Sequence, residues 1–502
     1  MTQPPTLAAI LEGVAIESAG LPADLQRQPI TGLTYDSRAV EPGYVFFAFE
    51  GAKVDGRRYA TDAIAKGAAV IVSESPGPDD CPGNWIQVKH GRRALALAAS
   101  NFYGHPDRRL HLTGITGTNG KTTTSYLLDS IWRQAGKTTA LIGTIEYRLA
   151  GRLMPSVNTT PESLDLLRTF VELENAGGTH VTMETSSHAL ALGRVHGIRF
   201  ETAVFTNLTR DHLDFHRSME EYFDAKRKLF TPEGAEPPRY AVVNYDDPYG
   251  RALKTKPETE VFWYGLEDGA GARALRIHSG FEGLRFEVQF RGEVFPIQSP
   301  MVGQINVYNI LAAWCAAYAN GVDPEVIQAG IAACSAVPGR FERVTEGQPF
   351  LVVVDYAHTD DALRNTIAAA RNLTAKRVIT LFGCGGDRDR NKRPLMGSAA
   401  AQGSDLVVLT SDNPRSEDPL AIMTDALVGI RRHDTPYIAE VDRVQAIQRA
   451  LDEARAGDVV VIAGKGHETY QVLKDRTIAF DDRDVARTAL RRLGYGLTAQ
   501  AK

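Results

Sequence analysis

An apolar run, Leu110 to Ile115, opens into Gly117-Thr118-Asn119-Gly120-Lys121-Thr122-Thr123, and a helical pattern follows from Lys121 to Ala135. Gly136 is placed to cap that helix. A strand that turns through glycines into a helix is the opening of a crossover unit, so this stretch calls for a parallel sheet covered by helices. Glycines let backbone N–H groups turn inward around a polyphosphate, and the helix N-terminus adds favourable partial charge. Lys121 would reach the outer phosphates and the Thr122 hydroxyl could hold Mg²⁺. The strict G-x-x-x-x-G-K-[ST] spacing fails, because its first glycine would fall on Ile115. The bland alternative is a ligand-free Gly-rich turn; the lysine and paired threonines in this context favour a nucleotide site.

At 502 residues the chain is too long for one core, and length alone suggests about three domains. Hydrophobic residues at 43% and charged residues at 23% fit a folded, soluble chain. A net charge of -5 and a pI near 6.2 argue against nucleic acid or anionic membrane as partner, though a basic pocket can hide inside that total. Cys81, Cys315, Cys334 and Cys384 form no C-x-x-C pair, so neither a disulfide framework nor a zinc site is expected, and a reducing compartment fits. The start, Met1-Thr2-Gln3-Pro4-Pro5, has no basic n-region. The longest apolar run, Ile310 to Ala319, reads as a buried helix rather than a membrane span. A cytoplasmic protein without membrane insertion, and a monomer, is the expectation.

Three segments separate by texture. Residues 1–108 mix short strands, such as Tyr44 to Phe49 and Ala68 to Val72, with two helical stretches. From 109 to 336, apolar runs alternate with helical patterns, which points to a parallel sheet with crossover helices. Beyond a hinge at Val337-Pro338-Gly339, residues 337–502 repeat one grammar, a β-branched run and then a polar loop. The loops begin at Asp355, Gly383, Ser411 and Gly464, and should gather at the carboxyl edge of one sheet, facing a common ligand. In the middle segment, Glu184 ends one strand and His212 follows another; a hard oxygen and an imidazole suit a divalent cation. Either residue taken alone is more often structural. Ala225-Lys226-Arg227-Lys228 reads by itself as a solvated basic helix face.

The shortened loop G-T-N-G-K-T resembles that of the muramyl ligases and their relative folylpolyglutamate synthase, and further motifs agree with it in order from residue 31 to 484. The resemblance implies an α/β fold of three domains: an N-terminal mixed α/β uridine-binding domain, a central parallel-sheet P-loop ATPase-like domain and a C-terminal Rossmann-like domain. It implies enzymes that activate a carboxylate as an acyl phosphate and let an amine displace the phosphate. M-E-T-S-S-H and T-N-L-T-R-D-H-L-D match family signatures in which Glu184 and His212 serve a magnesium site with Thr122. Lys226 falls where the family has a carbamylated lysine, a cation turned into an anion that helps hold Mg²⁺, while Arg227 and Lys228 stay surface residues. Lys121, Glu184, His212 and Lys226 form the implied catalytic set.

Thr34 to Gly43 resembles the uridine-binding module of the enzymes that add the third peptide residue, which sets Tyr35 and Ser37 against the nucleotide, with Ala52, Lys53 and Val54 lining the pocket. Read alone, the same stretch is a strand and a β-turn. Asn158, Thr159, Thr160, Ser186 and Arg194 match positions that hold the muramyl dipeptide; Leu192 stands where several relatives have glutamine. Gly303 to Asn309 resembles the adenine-side motif, Asn309 being favoured over Asn306, with Ile305 where an aromatic is common. Arg340, Asp355 and His358 look like the last domain's share of the ATP site. Asp412-Asn413-Pro414-Arg415 matches a diaminopimelate-recognition motif, with Arg388, Gly464 and Glu468 gripping that amino acid's other charged groups. A planar guanidinium pairs with the distal carboxylate that lysine lacks, and such a site can reject the incomplete analogue by roughly 10⁴. The rival readings are lysine addition, glutamate addition to a folate, or a nucleotide-gated switch that makes no bond. Arg415 counts against the first, the first segment against the second, and the acid-bearing loops against the third.

Overall fold

The computed structural model describes residues 3–17, 21–51, 55–78, 83–374 and 376–496. The chain divides into two compact units: Met1–Gly117 with Ala135–Trp263, and Thr118–Gln134 with Tyr264–Lys502.

In the first unit, Gly32–Thr34, Tyr44–Ala48, Val70–Ser73 and Trp85–Gln87 form a four-stranded parallel sheet. The longest helix beside it, Gly91–Tyr103, starts at His90, whose ring accepts from Arg93 N, and stops at Gly104 in the left-handed region. The larger sheet of this unit sets Tyr240–Asn244, Thr202–Phe205, His111–Thr116, His180–Glu184 and Thr139–Ile142 side by side and parallel. Antiparallel strands Glu146–Leu149 and Arg152–Pro155 extend it. The strands next to the phosphate loop, His180–Glu184 and Thr202–Phe205, are buried throughout. His111–Thr116 lies between Thr202–Phe205 and His180–Glu184, so the residues following all three strands emerge at one edge.

In the second unit the helix Lys121–Gln134 packs against Ile305–Ala319 and Pro324–Ala333. Gly330 permits the closest approach: a Cβ there would stand 2.6 Å from Ile131 Cα. Ala272–Gly280, Gly283–Phe290 and Glu293–Ser299 make an antiparallel meander, a departure from the all-crossover expectation for residues 109–336. Its cue is a different one, since the alternating burial of Gly283–Phe290 has the period of a one-sided strand. The helix Ile305–Ala319 extends five residues earlier than the apolar run, and its Trp314 packs rings with Phe290 and Phe295 of the meander.

The C-terminal sheet runs Glu342–Val344, Leu351–Asp355, Val459–Ala463, Val378–Cys384, Leu406–Ser411 and Tyr437–Ala439; only the first strand is antiparallel. Alternate residues divide between two cores, Val353, Val461 and Val407 on one face and Val352, Val460 and Val408 on the other. Four parallel strands therefore deliver the loops after Asp355, Ala463, Cys384 and Ser411 to one edge, as their β-branched runs led one to expect.

Candidate functional site

The phosphate loop owes its path to two glycines in positive φ, Gly117 at 148° and Gly120 at 87°. A Cβ on Gly117 would overlap the Thr206 hydroxyl, so this position needs glycine for space as well as conformation. Thr118, Asn119 and Gly120 are half-buried, and Lys121 Nζ donates to Thr118 O at 2.9 Å. Thr122 and Thr123 are buried at the helix start. Within the second unit, Arg340 sends Nη2 to 3.5 Å from Thr122 Oγ1 and stacks its guanidinium 4.6 Å over the Tyr356 ring. Its Nε is buried with no hydrogen-bond partner among the described residues, a donor that an anionic ligand would satisfy.

Asp355 sets the loop that presents Arg340. Its Oδ2 accepts from Phe341 N at 2.8 Å, and its Oδ1 accepts from Ala357 N at 2.9 Å and Thr366 Oγ1 at 3.0 Å. His358 is exposed, its Nδ1 2.8 Å from Tyr356 O. Asn309 is buried and donates to Asn306 Oδ1 at 2.9 Å, while Asn306 donates to Val302 O at 2.8 Å, so the two asparagines are positioned together.

In the first unit, Glu184 is buried at the end of its strand. Its two oxygens accept from Thr144 N at 2.8 Å and Thr144 Oγ1 at 3.0 Å. Thr160 Oγ1 donates to Glu184 O at 2.9 Å and accepts from Ser186 N at 3.0 Å. Arg194 Nη1 reaches Thr160 O at 3.0 Å, Thr159 Oγ1 lies 3.1 Å from Thr144 Oγ1, and Asn158 O accepts from Tyr147 at 2.5 Å. Thr159, Thr160, Glu184, Ser186 and Arg194 are thus one connected group, and Asn158 precedes it in the chain. Leu192 ends the short helix Ser187–Leu192 that Ser186 caps. Tyr35 donates to Asp165 Oδ2 at 2.5 Å, and burial followed by that bond pushes its phenol well above its ordinary pKa. Ser37 opens a 3₁₀ turn, half-buried. Ala52, Lys53 and Val54 lie outside the described residues.

Lys226 is not a solvated charge. It is buried in Met219–Arg227, donating to Gly117 O at 2.8 Å with its ammonium 4.5 Å from the Tyr222 ring; Arg227 is exposed and Lys228 half-buried. His212, exposed and at φ 52°, stacks edge-on at 4.9 Å to His188, whose pKa burial lowers. Among the described residues, no three His, Cys, Asp or Glu side chains converge as metal ligands. Any cation held here needs other donors as well, hydroxyls or a carbamate.

At the C-terminal edge, Arg415 takes φ 53° and donates from Nη1 to Gly386 O at 2.7 Å. Arg388 extends, exposed, from the neighbouring loop, where Asp387 is also left-handed at φ 51°. Two non-glycine residues in this region cost about 1–3 kcal/mol each, a strain the surrounding loops must hold. Asp412 and Asn413 are buried, and a Cβ added to Gly464, which takes φ 114°, would stand only 2.6 Å from Asp412 Oδ2. Asn413 Nδ2 donates to Glu468 Oε2 at 2.9 Å, and Pro414 is buried between Asn413 and Arg415. The DNPR residues, Arg388, Gly464 and Glu468 therefore share one edge, combining cationic and anionic groups as a zwitterion would require.

Three family models cover the chain in succession: "Mur ligase family, catalytic domain" over residues 29–103, "Mur ligase middle domain" over 115–317 and "Mur ligase, glutamate ligase domain" over 339–466. A UDP-N-acetylmuramoyl-L-alanyl-D-glutamate--2,6-diaminopimelate ligase of Solibacter usitatus is 64% identical over 98% of this chain and 99% of its own length. The chain belongs to the Mur ligase family. Like other Mur ligases it is an ATP-dependent, ADP-forming ligase with the family's three-domain α/β fold. A ligase of the same name from Geobacillus thermodenitrificans is 46% identical over 97% of this chain and 99% of its own. A solved structure, also of a UDP-N-acetylmuramoyl-L-alanyl-D-glutamate--2,6-diaminopimelate ligase, matches at TM-score 0.70 and 33% identity, covering 95% of this chain and 98% of that one.

Some groups in this Mur ligase escaped the sequence reading. Glu162 Oε1 lies 3.0 Å from Arg194 Nε and 3.3 Å from Arg92 Nε, tying the first sheet's helix to the Thr160 loop. Arg443 is fully buried and paired with Asp482 through two bonds of 2.7 Å; it also donates to Ala463 O at 3.0 Å and Ser411 O at 3.3 Å. Burial works against its charge, but Asp482 outweighs it and raises the pKa. Lys465 is fully buried beneath the DNPR loop. Isolated arginines and lysines read as surface residues by default, and their partners lie far off in sequence, so only Lys465, inside a named loop, gave any signal.

Proposed function

We propose that the chain adds meso-diaminopimelate to the D-glutamyl γ-carboxylate of UDP-N-acetylmuramoyl-L-alanyl-D-glutamate in peptidoglycan precursor synthesis, in the cytoplasm and as a monomer. The observation that carries this reading is Arg415 at the sheet edge beside Arg388, Asn413 and Glu468, a grip for an amino acid bearing a carboxylate at its far end. The division into 1–108 for UDP, 109–336 for ATP and 337–502 for the amino acid belongs to the same proposal.

The loop from Gly117 to Thr123 would bind the phosphates, with Lys121 and Arg340 as cationic donors and Asn309 toward the base. Tyr35, Ser37, Asn158, Thr159, Thr160, Ser186 and Arg194 would hold the UDP-muramyl dipeptide. Thr122, Glu184, His212 and Lys226, the last as a carbamate, would hold Mg²⁺, which neutralises the oxygens that ATP and the carboxylate bring together. The γ-carboxylate attacks the γ-phosphorus, the bond to the bridging oxygen breaks, and ADP leaves. The neutral amine of diaminopimelate then attacks the acyl carbon, and the C–O bond to phosphate breaks as the amine loses its proton. The chain's residues supply placement and charge compensation, with no covalent nucleophile.

Phosphate release from ATP with the UDP-muramyl dipeptide, in the presence of diaminopimelate or lysine, is the test. Release should need both the dipeptide and diaminopimelate, and Arg415→Ala should raise KM for diaminopimelate at least about tenfold, the equivalent of roughly 1.4 kcal/mol. Equal use of lysine, or an unchanged KM in the variant, would overturn the substrate assignment.

A further inference from the structure

The C-terminal edge holds a buried charge that the proposed chemistry leaves unused. Lys465 Nζ donates to Asn413 Oδ1 at 3.1 Å and to Glu468 Oε2 at 3.1 Å, and lies 4.0 Å from Asp412 Oδ1. Its side chain has 0% exposure, whereas Glu468 retains 16%. An ammonium removed from water must be matched by acceptors, and here two oxygens accept from it while a carboxylate oxygen of Asp412 lies at ion-pair distance.

The arrangement dictates orientation as well as charge. Asn413 Oδ1 also accepts from Val472 N at 2.9 Å, so two donors fix which end of the amide is oxygen. The amide nitrogen must then face Glu468, and does so at 2.9 Å. Both bonds to Glu468 fall on Oε2, so neither Asn413 nor Lys465 engages Oε1. Without Lys465, Asp412 and Glu468 would lose the cation that lies within 4.0 Å of both, and like charge would favour their turning apart.

We infer that Lys465 is a positioning residue for the incoming amino acid: it fixes the Asn413 amide and aims Glu468, so that one carboxylate oxygen receives a substrate ammonium while Arg415 takes the carboxylate. This rests on the proposed amino-acid site and deepens it.

Lys465→Met removes the charge at similar volume, and Lys465→Gln keeps a donor without the charge. KM for diaminopimelate should rise about tenfold or more in both, the scale of one lost charged hydrogen bond. KM for ATP and for the UDP-muramyl dipeptide should stay within about twofold, a split that a general packing role would not produce. In a double-mutant cycle with Glu468→Gln, the two effects should be markedly less than additive, because one residue acts through the other. Additive effects, an equal shift in all three KM values, or failure of both variants to fold would overturn the inference. A wild-type enzyme that releases no diaminopimelate-dependent phosphate would instead sink the substrate reading, which the same assay shows before any variant is made.

Discussion

Lys226 donates to Gly117 O at 2.8 Å from a side chain almost wholly removed from water. Burial strips the solvation from either charge it could carry, so a carbonyl serves the ammonium form and a cation would serve the carbamate. In the proposed carbamate the amine would add to carbon dioxide and lose a proton, giving a carboxylate-bearing nitrogen. Activity should therefore fall in buffer stripped of carbon dioxide and return with bicarbonate, and intact mass should show the added group. Activity indifferent to carbon dioxide would count against the carbamate. Titration supplies a second expectation. Burial, then Arg340 and Arg483, lowers the His467 pKa to about 4, and burial, then His111 and Lys137, lowers that of His180 to about 4. Both are neutral in the folded chain and bind protons more readily when unfolded. Their contribution is complete above the ordinary value of about 6.5 and is lost as pH falls toward about 4. Equilibrium denaturation should show stability dropping through that window, with His180→Asn and His467→Asn flattening the drop. At this scale the motifs pick out residues that the structure brings together, as with Glu184, Thr160 and Arg194. The sequence was unreadable where a charge is buried by a distant partner, as with Arg443 and Glu162.

Elements were legible where both faces are covered. Leu406–Ser411, apolar through Leu409, and Val459–Ala463 are buried throughout because helices lie on either side, and their ends came out within a residue or so of the pattern. The meander Ala272–Ser299 was not, since one exposed face interrupts its hydrophobic run with polar residues. The helix that carries Lys121 was legible, but its support was not. Ser130 Oγ donates to Gly330 O at 2.7 Å, and Gly330 lets the helix Pro324–Ala333 lie against Ile131. Gly330→Ala would press a methyl onto backbone 2.6 Å away, and overpacking of that kind costs about 1–3 kcal/mol. Chemical denaturation should show that loss. KM for ATP should rise as well, because the first turn of the displaced helix presents Lys121 and Thr122; an unaltered KM would separate the packing from the phosphate site.

On the scale of the whole chain, the two compact units are interleaved in sequence: residues 118–134 belong with 264–502 although they interrupt the first unit. The consequence concerns which pieces can stand alone. Residues 337–502 carry a six-stranded sheet with an apolar core on each face, to which, among the described residues, Val302 and Phe281 come from outside the segment. Residues 264–336 are different. Their helices Ile305–Ala319 and Pro324–Ala333 bury apolar side chains against Lys121–Gln134, which a fragment starting at 264 would lack. The all-round apolar character of Ile305–Ala319 makes that loss costly, since Ile310, Leu311 and Trp314 are fully buried in the intact chain. A fragment of residues 337–502 should therefore unfold cooperatively in denaturant, while one of residues 264–502 should bind a hydrophobic dye and lose near-ultraviolet circular dichroism over its first part. Supplying Lys121–Gln134 as a covalently linked segment should restore cooperativity to the longer fragment. If the longer fragment were already cooperative and dye-silent, the phosphate-loop helix would be a ligand-binding appendage rather than a structural member of the second unit. The coupling drawn here between ATP contact and core packing would then fail.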